Sequence, residues 1–185
     1  MRIISGKFKG KKISFTNSPI TRPLRDYVKE NMFNIITHGK DTQFNFDNAN
    51  ILDLYSGVGS FGIECLSRNV KKVVFVEKDP LAFSILKKNV SELKLINRAN
   101  LVSQDIKSYI KKLNDEKFDL IFLDPPYKDS SYIEIISLIK EKKIFSINNK
   151  VIIHRENKGE EKLDKFIKID LMRNYGRSKI IFGSF

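Results

Sequence analysis

Beyond residue 49 the chain alternates between short apolar runs and longer stretches in which apolar residues recur at helical spacing. The runs are rich in Val, Ile, Leu and Phe, as is typical of strands buried on both faces of a parallel sheet, and the stretches between them are typical of amphipathic helices. Strands are predicted at 51–54, 72–77, 100–103, 118–123 and 150–154, and helices at 79–93, 106–113 and 132–142, with a further helix that ends near residue 66. This order predicts an α/β fold built on a doubly wound, mostly parallel sheet.

Both ends of the chain depart from this alternation. Residues 166–170 and 178–185 flank a turn at 174–176 and predict a closing β-hairpin. At the start, apolar residues flank a basic segment that contains Gly6 and Gly10. This pattern predicts a small β-hairpin whose turn carries positive charge.

The segment after the first hairpin predicts an amphipathic helix. Apolar residues recur at helical spacing between Val28 and Ile36, and basic residues fall outside that stripe. The polar segment 38–50, which is rich in Asn and Asp, then predicts a boundary. We therefore expect residues 1–40 to form a small basic hairpin-helix extension and residues 41–185 to form the main domain.

The charge of the chain favours a nucleic-acid partner. Among its 185 residues, 34 Lys and Arg against 22 Asp and Glu give a net charge of +12 and a pI near 9.7. A lysine-rich genome bias can account for part of this excess, and a basic N-terminus can also be merely solvated, so the distribution of charge carries more weight than its size. The basic residues of the extension are the expected nucleic-acid contacts. They are Arg2, Lys7, Lys9, Lys11, Arg22, Arg25 and Lys29.

Several classes of protein are disfavoured by the composition. No apolar run approaches the ~20 residues that cross a bilayer, and the basic start does not fit a signal peptide, so a cytoplasmic protein without membrane contact is expected. A single cysteine, Cys65, allows no internal disulfide, and with only His38 and His154 beside it no metal site is expected. Neither histidine is assigned a role, and Cys65 is interpreted as a core residue.

A glycine-rich turn between the first strand and its helix predicts a cofactor site. Gly57-x-Gly59-x-x-Gly62 fits the dinucleotide fingerprint, and Glu77 follows about 20 residues on, at the end of the second strand. Asp53 changes this interpretation, because a carboxylate before the glycines would repel a pyrophosphate but attract an ammonium group. S-adenosylmethionine has such an ammonium and no phosphate. It is therefore the predicted cofactor, with Glu77 accepting hydrogen bonds from its ribose.

The fourth strand ends abruptly at Asp124-Pro125-Pro126-Tyr127. The prolines forbid both further strand pairing and a helix start, so this motif lies just beyond the carboxyl end of a parallel strand, where α/β proteins bind ligands. An exocyclic amine of a nucleobase is a poor nucleophile that needs acceptors. Asp124 and the Pro125 carbonyl would supply them, while Tyr127 offers a face for the extruded base. Asp-Pro also starts ordinary turns, so a rigid strand cap is the alternative.

The order of these elements along the sheet predicts an S-adenosylmethionine-dependent methyltransferase that acts on an amine. Asp53 with its glycines, Glu77, Asp105 and the 124–127 motif follow one another at successive strand ends, and a dehydrogenase has no use for the last of them. Asp105 would meet the adenine of the cofactor, although it is equally typical of a helix N-cap. With no cysteine near Tyr127, cytosine-C5 chemistry through a thiolate is not expected.

The chain resembles the bacterial small-subunit ribosomal RNA guanine-N2 methyltransferases of the RsmD family over nearly its whole length. The resemblance is carried by Arg2-Ile-Ile-Ser-Gly6-Lys, Arg22-Pro23-x-x-Asp26-x-Val28-Lys29-Glu30-x-Met32-Phe33-Asn34, Asp53-Leu-Tyr-Ser-Gly57-Val-Gly59-Ser-Phe-Gly62 with Glu64, and Asp124-Pro-Pro-Tyr127. The second of these segments is specific to the family, whereas the last two are shared by many methyltransferases. Leu24 and Tyr27 depart from the family pattern, which commonly has threonine and a second basic residue there.

This resemblance implies a fold, a reaction and a substrate. The fold is the class I methyltransferase fold, which is Rossmann-like with a seven-stranded, mostly parallel sheet. S-adenosylmethionine is the implied donor, and Tyr55 joins the residues expected to bind it. The implied acceptor is the N2 amine of a guanine in 16S ribosomal RNA, presented on a partly or fully assembled small subunit. The extension would then contact RNA, and a monomer is expected.

Three rival functions stay open. A DNA or RNA adenine-N6 methyltransferase shares the Asp-Pro-Pro-Tyr motif, but reading a DNA sequence usually takes an extra recognition domain, for which this chain has no residues to spare. A protein-glutamine methyltransferase has the similar motif Asn-Pro-Pro-Tyr, and the basic extension argues against it. A non-catalytic RNA-binding ribosome assembly factor is disfavoured because every motif position is intact.

Overall fold

Seven strands form one sheet with helices on both of its faces in the computed structural model of the chain, which describes residues 1–15, 26–157 and 163–185. Within these ranges the helices are α1 (Asp26–His38), α2 (Ser60–Ser67), α3 (Pro80–Glu92), α4 (Ile106–Lys112) and α5 (Tyr132–Lys142), with a 3₁₀ turn at Ile96–Arg98. The strands are β1 (Asn50–Leu54), β2 (Lys72–Val76), β3 (Ala99–Val102), β4 (Phe118–Leu123), β5 (Phe145–Glu156), β6 (Lys168–Tyr175) and β7 (Ser178–Ser184).

The strands follow the order β3-β2-β1-β4-β5-β7-β6 across the sheet. Neighbours from β3 to β5 run parallel, whereas β7 runs antiparallel to both β5 and β6. The order reverses at β1, which lies between β2 and β4, so that Leu54 and Leu123 at the ends of β1 and β4 pair with each other. Ligands bind outside such a switch point in open α/β sheets. The predicted fold class is confirmed.

Two elements, β4 and α5, have the predicted bounds, but β5 differs from its prediction. It begins at Phe145 rather than at Lys150. Phe118 pairs with Phe145 and Leu120 pairs with Lys150, so β5 contains extra residues that form a bulge. The residues of this irregular stretch, 146–149, are polar except for an exposed isoleucine, so the pattern of apolar residues does not show where the strand begins.

The core lies on both faces of the sheet, as the continuous apolar runs of its central strands require. On one face α1, α2 and α3 pack together with the N-terminal residues Ile3 and Ile13, and on the other face lie α4 and α5. Phe61 of α2 stacks on Phe122 of β4 with ring centroids 4.0 Å apart. The next residue, Gly62, lets α2 pack closely on β2, because a Cβ there would lie 2.3 Å from the Phe75 ring of that strand.

The N-terminal segment is a turn-rich hairpin rather than a pair of regular strands. One antiparallel bridge joins Arg2 and Lys12, and contacts with α2 hold the rest of the segment. The Ser67 carbonyl accepts a hydrogen bond from the Lys7 N–H at 2.8 Å. Gly6 is required beside it, because its φ is 79° and a Cβ would lie 1.9 Å from the Ser67 carbonyl oxygen.

Glu64 joins this hairpin and α1 to α2 through a side chain that is fully buried. Its carboxylate accepts hydrogen bonds from the Ile4 and Ser5 backbone N–H groups at 2.7 and 3.0 Å. Arg68 Nε donates to the same carboxylate at 3.2 Å, and the Lys29 ammonium lies 3.8 Å from it. The extension is therefore held in place by a buried, charged network as well as by apolar packing.

Lys29 corrects one prediction. The pattern assigns Lys29 to the basic side of α1, but its side chain is fully buried and donates a hydrogen bond to the Arg2 carbonyl at 2.7 Å. Burial lowers the pKa of Lys29, and the charge of Glu64 opposes that shift. Lys29 cannot contact a nucleic acid from this position, so the prediction that it binds RNA is wrong. Its role is to join α1 to α2.

Candidate active site

A cleft of about 1520 Å³ lies at the carboxyl ends of β1, β2 and β4. The loops that follow these strands line it, together with parts of the N-terminal segment, the first turn of α1 and the turn between β6 and β7. Eight of the nine residues predicted for catalysis and cofactor binding line this cleft. They are Asp53, Tyr55, Gly57, Glu77, Asp105, Asp124, Pro125 and Tyr127.

The first two glycines of the loop, Gly57 and Gly59, have different structural roles. Gly57 has a φ of 54° and lines the cleft, and a Cβ at this position would meet no atom within 4 Å. Its bare backbone therefore leaves open space for a ligand. Gly59 does not line the cleft; it caps α2 with a φ of 88°, and a Cβ there would lie 2.5 Å from Leu86. Gly59 shapes the turn that presents Gly57.

Asp53 lines the cleft with half of its carboxylate unpaired. Oδ2 accepts a hydrogen bond from the Gly62 N–H at 3.0 Å, whereas Oδ1 is buried and has no hydrogen-bond partner among the described residues. Burial raises the pKa of Asp53 well above its usual range; the Gly62 hydrogen bond opposes the shift, and the carboxylates of Asp124 and Glu77 add to it. A cation at Oδ1 would offset both the desolvation and the repulsion. The site therefore favours a ligand that carries an ammonium group.

Glu77 holds the glycine loop in place and still lines the cleft. Its Oε2 accepts a hydrogen bond from the Gly57 N–H at 2.8 Å, and its Oε1 accepts one from the Asp79 N–H at 2.7 Å. Each carboxylate oxygen has two lone pairs, so Glu77 can also accept hydrogen bonds from a ligand diol. Ser56 adds a polar group nearby, since its buried Oγ has no partner among the described residues.

Asp105 and Tyr55 line the cleft, and each also has a structural partner. Asp105 is the N-cap of α4 and accepts a hydrogen bond from the Ser108 N–H at 3.0 Å, so the N-cap interpretation is confirmed. Tyr55 follows β1 directly with a φ of 58°, which is uncommon outside glycine, and its hydroxyl donates to Asp129 Oδ2 at 3.2 Å. Burial raises the pKa of Tyr55, so its hydroxyl stays protonated as a donor.

The 124–127 motif follows β4 directly, and its backbone is held from outside the motif. Arg155 donates through Nη1 and Nη2 to the two carbonyls that follow Pro125, at 3.0 and 3.1 Å. Among the described residues no hydrogen bond reaches the Pro125 carbonyl itself, which leaves it as an acceptor. The Tyr127 hydroxyl lies 2.9 Å from Ser178 Oγ, and this contact fixes the ring as a wall of the cleft.

His154 and Arg155 also belong to the site, although no sequence motif predicts a role for either. His154 Nδ1 lies 2.8 Å from Asp124 Oδ1, and its buried Nε2 has no partner among the described residues. The imidazole also meets the Tyr127 ring edge-on, with centroids 6.0 Å apart. β5 pairs in parallel with β4, so its carboxyl end lies beside Asp124. Polar residues at the end of a buried strand were the signal that could have found them.

The predicted nucleic-acid contacts of the N-terminal segment lie at the surface. The Lys7 and Lys11 ammonium groups lie 5.9 and 5.3 Å from the centre of the Phe8 ring. Arg22 and Arg25 lie outside the described residues. The exposed basic residues of the segment are Arg2, Lys7, Lys9, Lys11 and Lys12, and the first four of them are predicted nucleic-acid contacts.

Neither the cysteine nor a group of metal-ligating side chains forms a second reactive centre within the described residues. Cys65 is buried, and burial raises the pKa of its thiol well above the usual range, which confirms its interpretation as core. In residues 1–15, 26–157 and 163–185 no three His, Cys, Asp or Glu side chains are grouped as metal ligands. None of the helices in these ranges is both long and apolar enough to cross a membrane.

Comparison with known proteins identifies the family. A family model described as "Conserved hypothetical protein 95" matches residues 1–184. Proteins named "Ribosomal RNA small subunit methyltransferase D" from Haemophilus influenzae and Buchnera aphidicola are 35% and 33% identical to this chain over 158 and 156 residues. The matches cover 84% of this chain in both cases, and 79% and 78% of the relatives. The chain belongs to the RsmD methyltransferase family.

Solved structures agree with this RsmD membership. A putative methylase from Haemophilus influenzae has a TM-score of 0.80 at 28% identity, covering 99% of this chain and 97% of that chain. A putative methyltransferase from Escherichia coli has a TM-score of 0.82 at 23% identity, covering 100% and 97%, and shows the fold. The RsmD family is a family of S-adenosylmethionine-dependent methyltransferases, which confirms the predicted cofactor class.

Proposed function

We propose that this chain transfers a methyl group from S-adenosylmethionine to the N2 amine of a guanine in 16S ribosomal RNA of the small ribosomal subunit. The proposal depends on the continuity of one cleft from the unpaired oxygen of Asp53, past Asp124, to the ring of Tyr127. One cleft thus offers a carboxylate for an ammonium group, an acceptor for an amine and a wall for a base. Relatives named as small-subunit ribosomal RNA methyltransferases support RNA as the substrate.

The residues at the ends of β1 and β2 bind the cofactor. Asp53 Oδ1 pairs with the ammonium group, Glu77 accepts hydrogen bonds from the ribose, and Gly57 lets the ligand approach the backbone. Tyr55 and Asp105 complete this side of the cleft. S-adenosylmethionine supplies an electrophilic methyl group when it is bound.

The residues that follow β4 prepare the amine. An exocyclic amine is a weak nucleophile because its lone pair is delocalised into the base, and acceptors at its two hydrogens favour tetrahedral geometry. Asp124 is one acceptor and the Pro125 carbonyl is the other. His154 engages Asp124 Oδ1, so Oδ2 is the oxygen that meets the amine. The charge of Asp124 also stabilises the cationic amine that develops.

The reaction needs no strong general base. The amine proton becomes acidic only after the methyl group has arrived, and it then leaves to Asp124 or to water. Tyr127 keeps the extruded base in place by stacking, which is worth ~1–3 kcal/mol per base and is similar in size to the few kcal/mol that extrusion costs.

Nucleoside analysis tests the proposal. Purified small subunits and naked 16S ribosomal RNA would each be incubated with the protein and labelled cofactor, digested, and examined by mass spectrometry. We expect N2-methylguanosine from RNA on a partly or fully assembled subunit. In the cell we expect the protein to act as a monomer in the cytoplasm. Label in N6-methyladenosine would favour the adenine alternative, and RNA binding without any label would favour a non-catalytic assembly factor.

Loss of either cofactor carboxylate should weaken S-adenosylmethionine binding. Asp53→Ala and Glu77→Ala each remove charge-assisted hydrogen bonds of ~1.5–3 kcal/mol, or roughly tenfold to a hundredfold in affinity. Calorimetry with the cofactor measures this directly. Glu92→Ala, which changes an exposed acid of α3, is the matched control and should bind normally. Unchanged affinity in both site variants would show that the cofactor lies elsewhere.

The exposed lysines of the N-terminal segment should bind the phosphates of the RNA. Each lysine–phosphate contact releases a counterion and contributes ~0.7 to the slope of log affinity against log salt for single-stranded RNA. Replacing Lys7, Lys9 and Lys11 together by Gln should therefore reduce the magnitude of that slope by about two. Substitution is preferable to deletion, because Glu64 pairs with the backbone of this segment. The same exchange at three exposed lysines of α4 and α5 is the control. Those residues are Lys111, Lys112 and Lys140. An unchanged slope in the N-terminal variant would contradict the assignment.

A further inference from the structure

The cleft is larger than the cofactor and one base require. Its volume of about 1520 Å³ exceeds the ~300–1,000 Å³ that small-molecule sites usually occupy. The additional space lies toward the extension and the β6–β7 turn, where Phe15, Tyr27 and the residues from Asn174 to Ser178 line it. Apart from Ser178, which holds the Tyr127 ring in place, none of these residues has a role in the chemistry described above.

Two tyrosines meet at this end of the cleft. The rings of Tyr27, in the first turn of α1, and Tyr175, at the end of β6, lie edge to face with centroids 6.1 Å apart and an interplanar angle of 82°. Tyr27 is 67% exposed although it lines the cleft, and Phe15 beside it in the lining is 48% exposed. Large aromatic side chains left open at the mouth of a binding cleft are typical of surfaces that a partner covers.

The chain connects these tyrosines to Tyr127. The Tyr127 hydroxyl contacts Ser178 Oγ at 2.9 Å, and Ser178 pairs with Tyr175 across the turn between β6 and β7. Tyr175 in turn contacts Tyr27. The tyrosine pair is therefore connected to Tyr127 through Ser178, and all three tyrosines line the same cleft, so an RNA strand that places one base against Tyr127 can place a neighbouring base against the pair.

The charge around the tyrosine pair is suited to a polyanion. Arg177 lines the cleft beside Tyr175, and the positive charge of Arg173 acts on the Tyr175 ring. Both arginines are exposed. The Tyr175 hydroxyl is a phenol, which is neutral at physiological pH, and burial raises its pKa further, so the side chain does not repel phosphate. Neutral aromatic faces beside cationic side chains are the elements from which single-stranded nucleic-acid sites are built.

We infer that Tyr27 and Tyr175 form a second stacking site, which binds an unpaired base next to the methylated nucleotide in the RNA substrate. The inference rests on the proposed function for the identity of the methylated base, but the stacking site itself needs only an RNA strand in the cleft. It also accounts for Tyr27, where the resemblance leads one to expect a basic residue. At this position the chain uses an aromatic face in place of a charge.

The test uses the full-length protein and a single-stranded RNA 12-mer that carries one 2-aminopurine, whose fluorescence falls when it stacks. Tyr27→Ala should weaken binding by roughly fivefold to 150-fold, which corresponds to ~1–3 kcal/mol per stacked base, and should reduce the quenching. Tyr27→Phe, which keeps the ring, should behave as the unmodified protein. The salt dependence of binding should be the same in all variants, because stacking releases no counterions. Ile96→Ala removes an equally exposed apolar side chain outside the cleft and should change nothing.

Two outcomes would overturn the inference. Normal RNA affinity and quenching in Tyr27→Ala would show that no base stacks there. Equal losses in Tyr27→Ala and Tyr27→Phe, with a flatter salt slope, would point to a hydroxyl contact with phosphate. Nucleoside analysis on small subunits runs in parallel: absence of methylguanosine would refute the proposed function while leaving the fluorescence result to decide the stacking site. Melting temperature and cofactor affinity of Tyr27→Ala should match those of the unmodified chain.

Discussion

Asp124→Ala should lower the single-turnover rate of methyl transfer about a hundredfold to a thousandfold. The substitution removes an acceptor for the amine and the charge that stabilises its cationic form, an electrostatic effect of ~2.7–4 kcal/mol when one comparable preorganised group is lost. Asp124→Asn keeps an acceptor oxygen and loses the charge, so its rate should fall between the two. Labelled cofactor on small subunits, sampled before the first turnover is complete, gives these rates.

Cofactor affinity shows whether Asp124→Ala slows methyl transfer itself or disrupts the cofactor site. Asp124 raises the pKa of Asp53 by repulsion, so its loss should not weaken the pairing of Asp53 with an ammonium group. Calorimetry should therefore show undiminished cofactor binding in Asp124→Ala. Asp115→Ala, an exposed acid in the loop before β4, is the control for the loss of one negative charge. Full activity in Asp124→Ala, or label on adenine in the unmodified enzyme, would refute the assigned chemistry.

The parts of the site that the sequence predicts are those whose residues are neighbours in sequence or follow a strand directly. Asp53 and Glu77 can be predicted because a parallel sheet brings consecutive strand ends to one edge, and the apolar runs show where those ends are. The predicted bounds of β4 agree with the structure because the prolines after Asp124 have no N–H group to donate to a neighbouring strand. Local patterning and one topological rule were sufficient for these residues.

The parts that the sequence does not predict depend on contacts between distant segments. His154 and Arg155 lie beside Asp124 only because β5 pairs with β4, and strand neighbours cannot be read from the pattern of either strand alone. Lys29 looks like a surface lysine at its position in α1. Its burial depends on Glu64 from another helix, and no periodicity in α1 encodes that partner.

Glu64→Ala should destabilise the protein by ~3–5 kcal/mol, the usual cost of removing one partner of a buried ion pair. Lys29 would be left as a fully buried ammonium without its carboxylate, and the Ile4 and Ser5 N–H groups would lose their acceptors. Domains of this size are stable by only ~5–15 kcal/mol in total, so the effect is a large share of the whole. Urea denaturation followed by circular dichroism measures it.

Matched variants identify the source of this loss. Glu92→Ala breaks the exposed Lys88–Glu92 pair on α3 and should cost only ~0–1 kcal/mol, because water screens that pair. Combining Glu64→Gln with Lys29→Met removes both buried charges and keeps an acceptor oxygen near the Ile4 N–H, so the double variant should be more stable than Glu64→Ala. Equal stability of Glu64→Ala and Glu92→Ala would contradict a structural role for the buried pair. Since the same network holds the N-terminal segment beside the cleft, Glu64→Ala should also weaken RNA binding under conditions in which the variant is still folded.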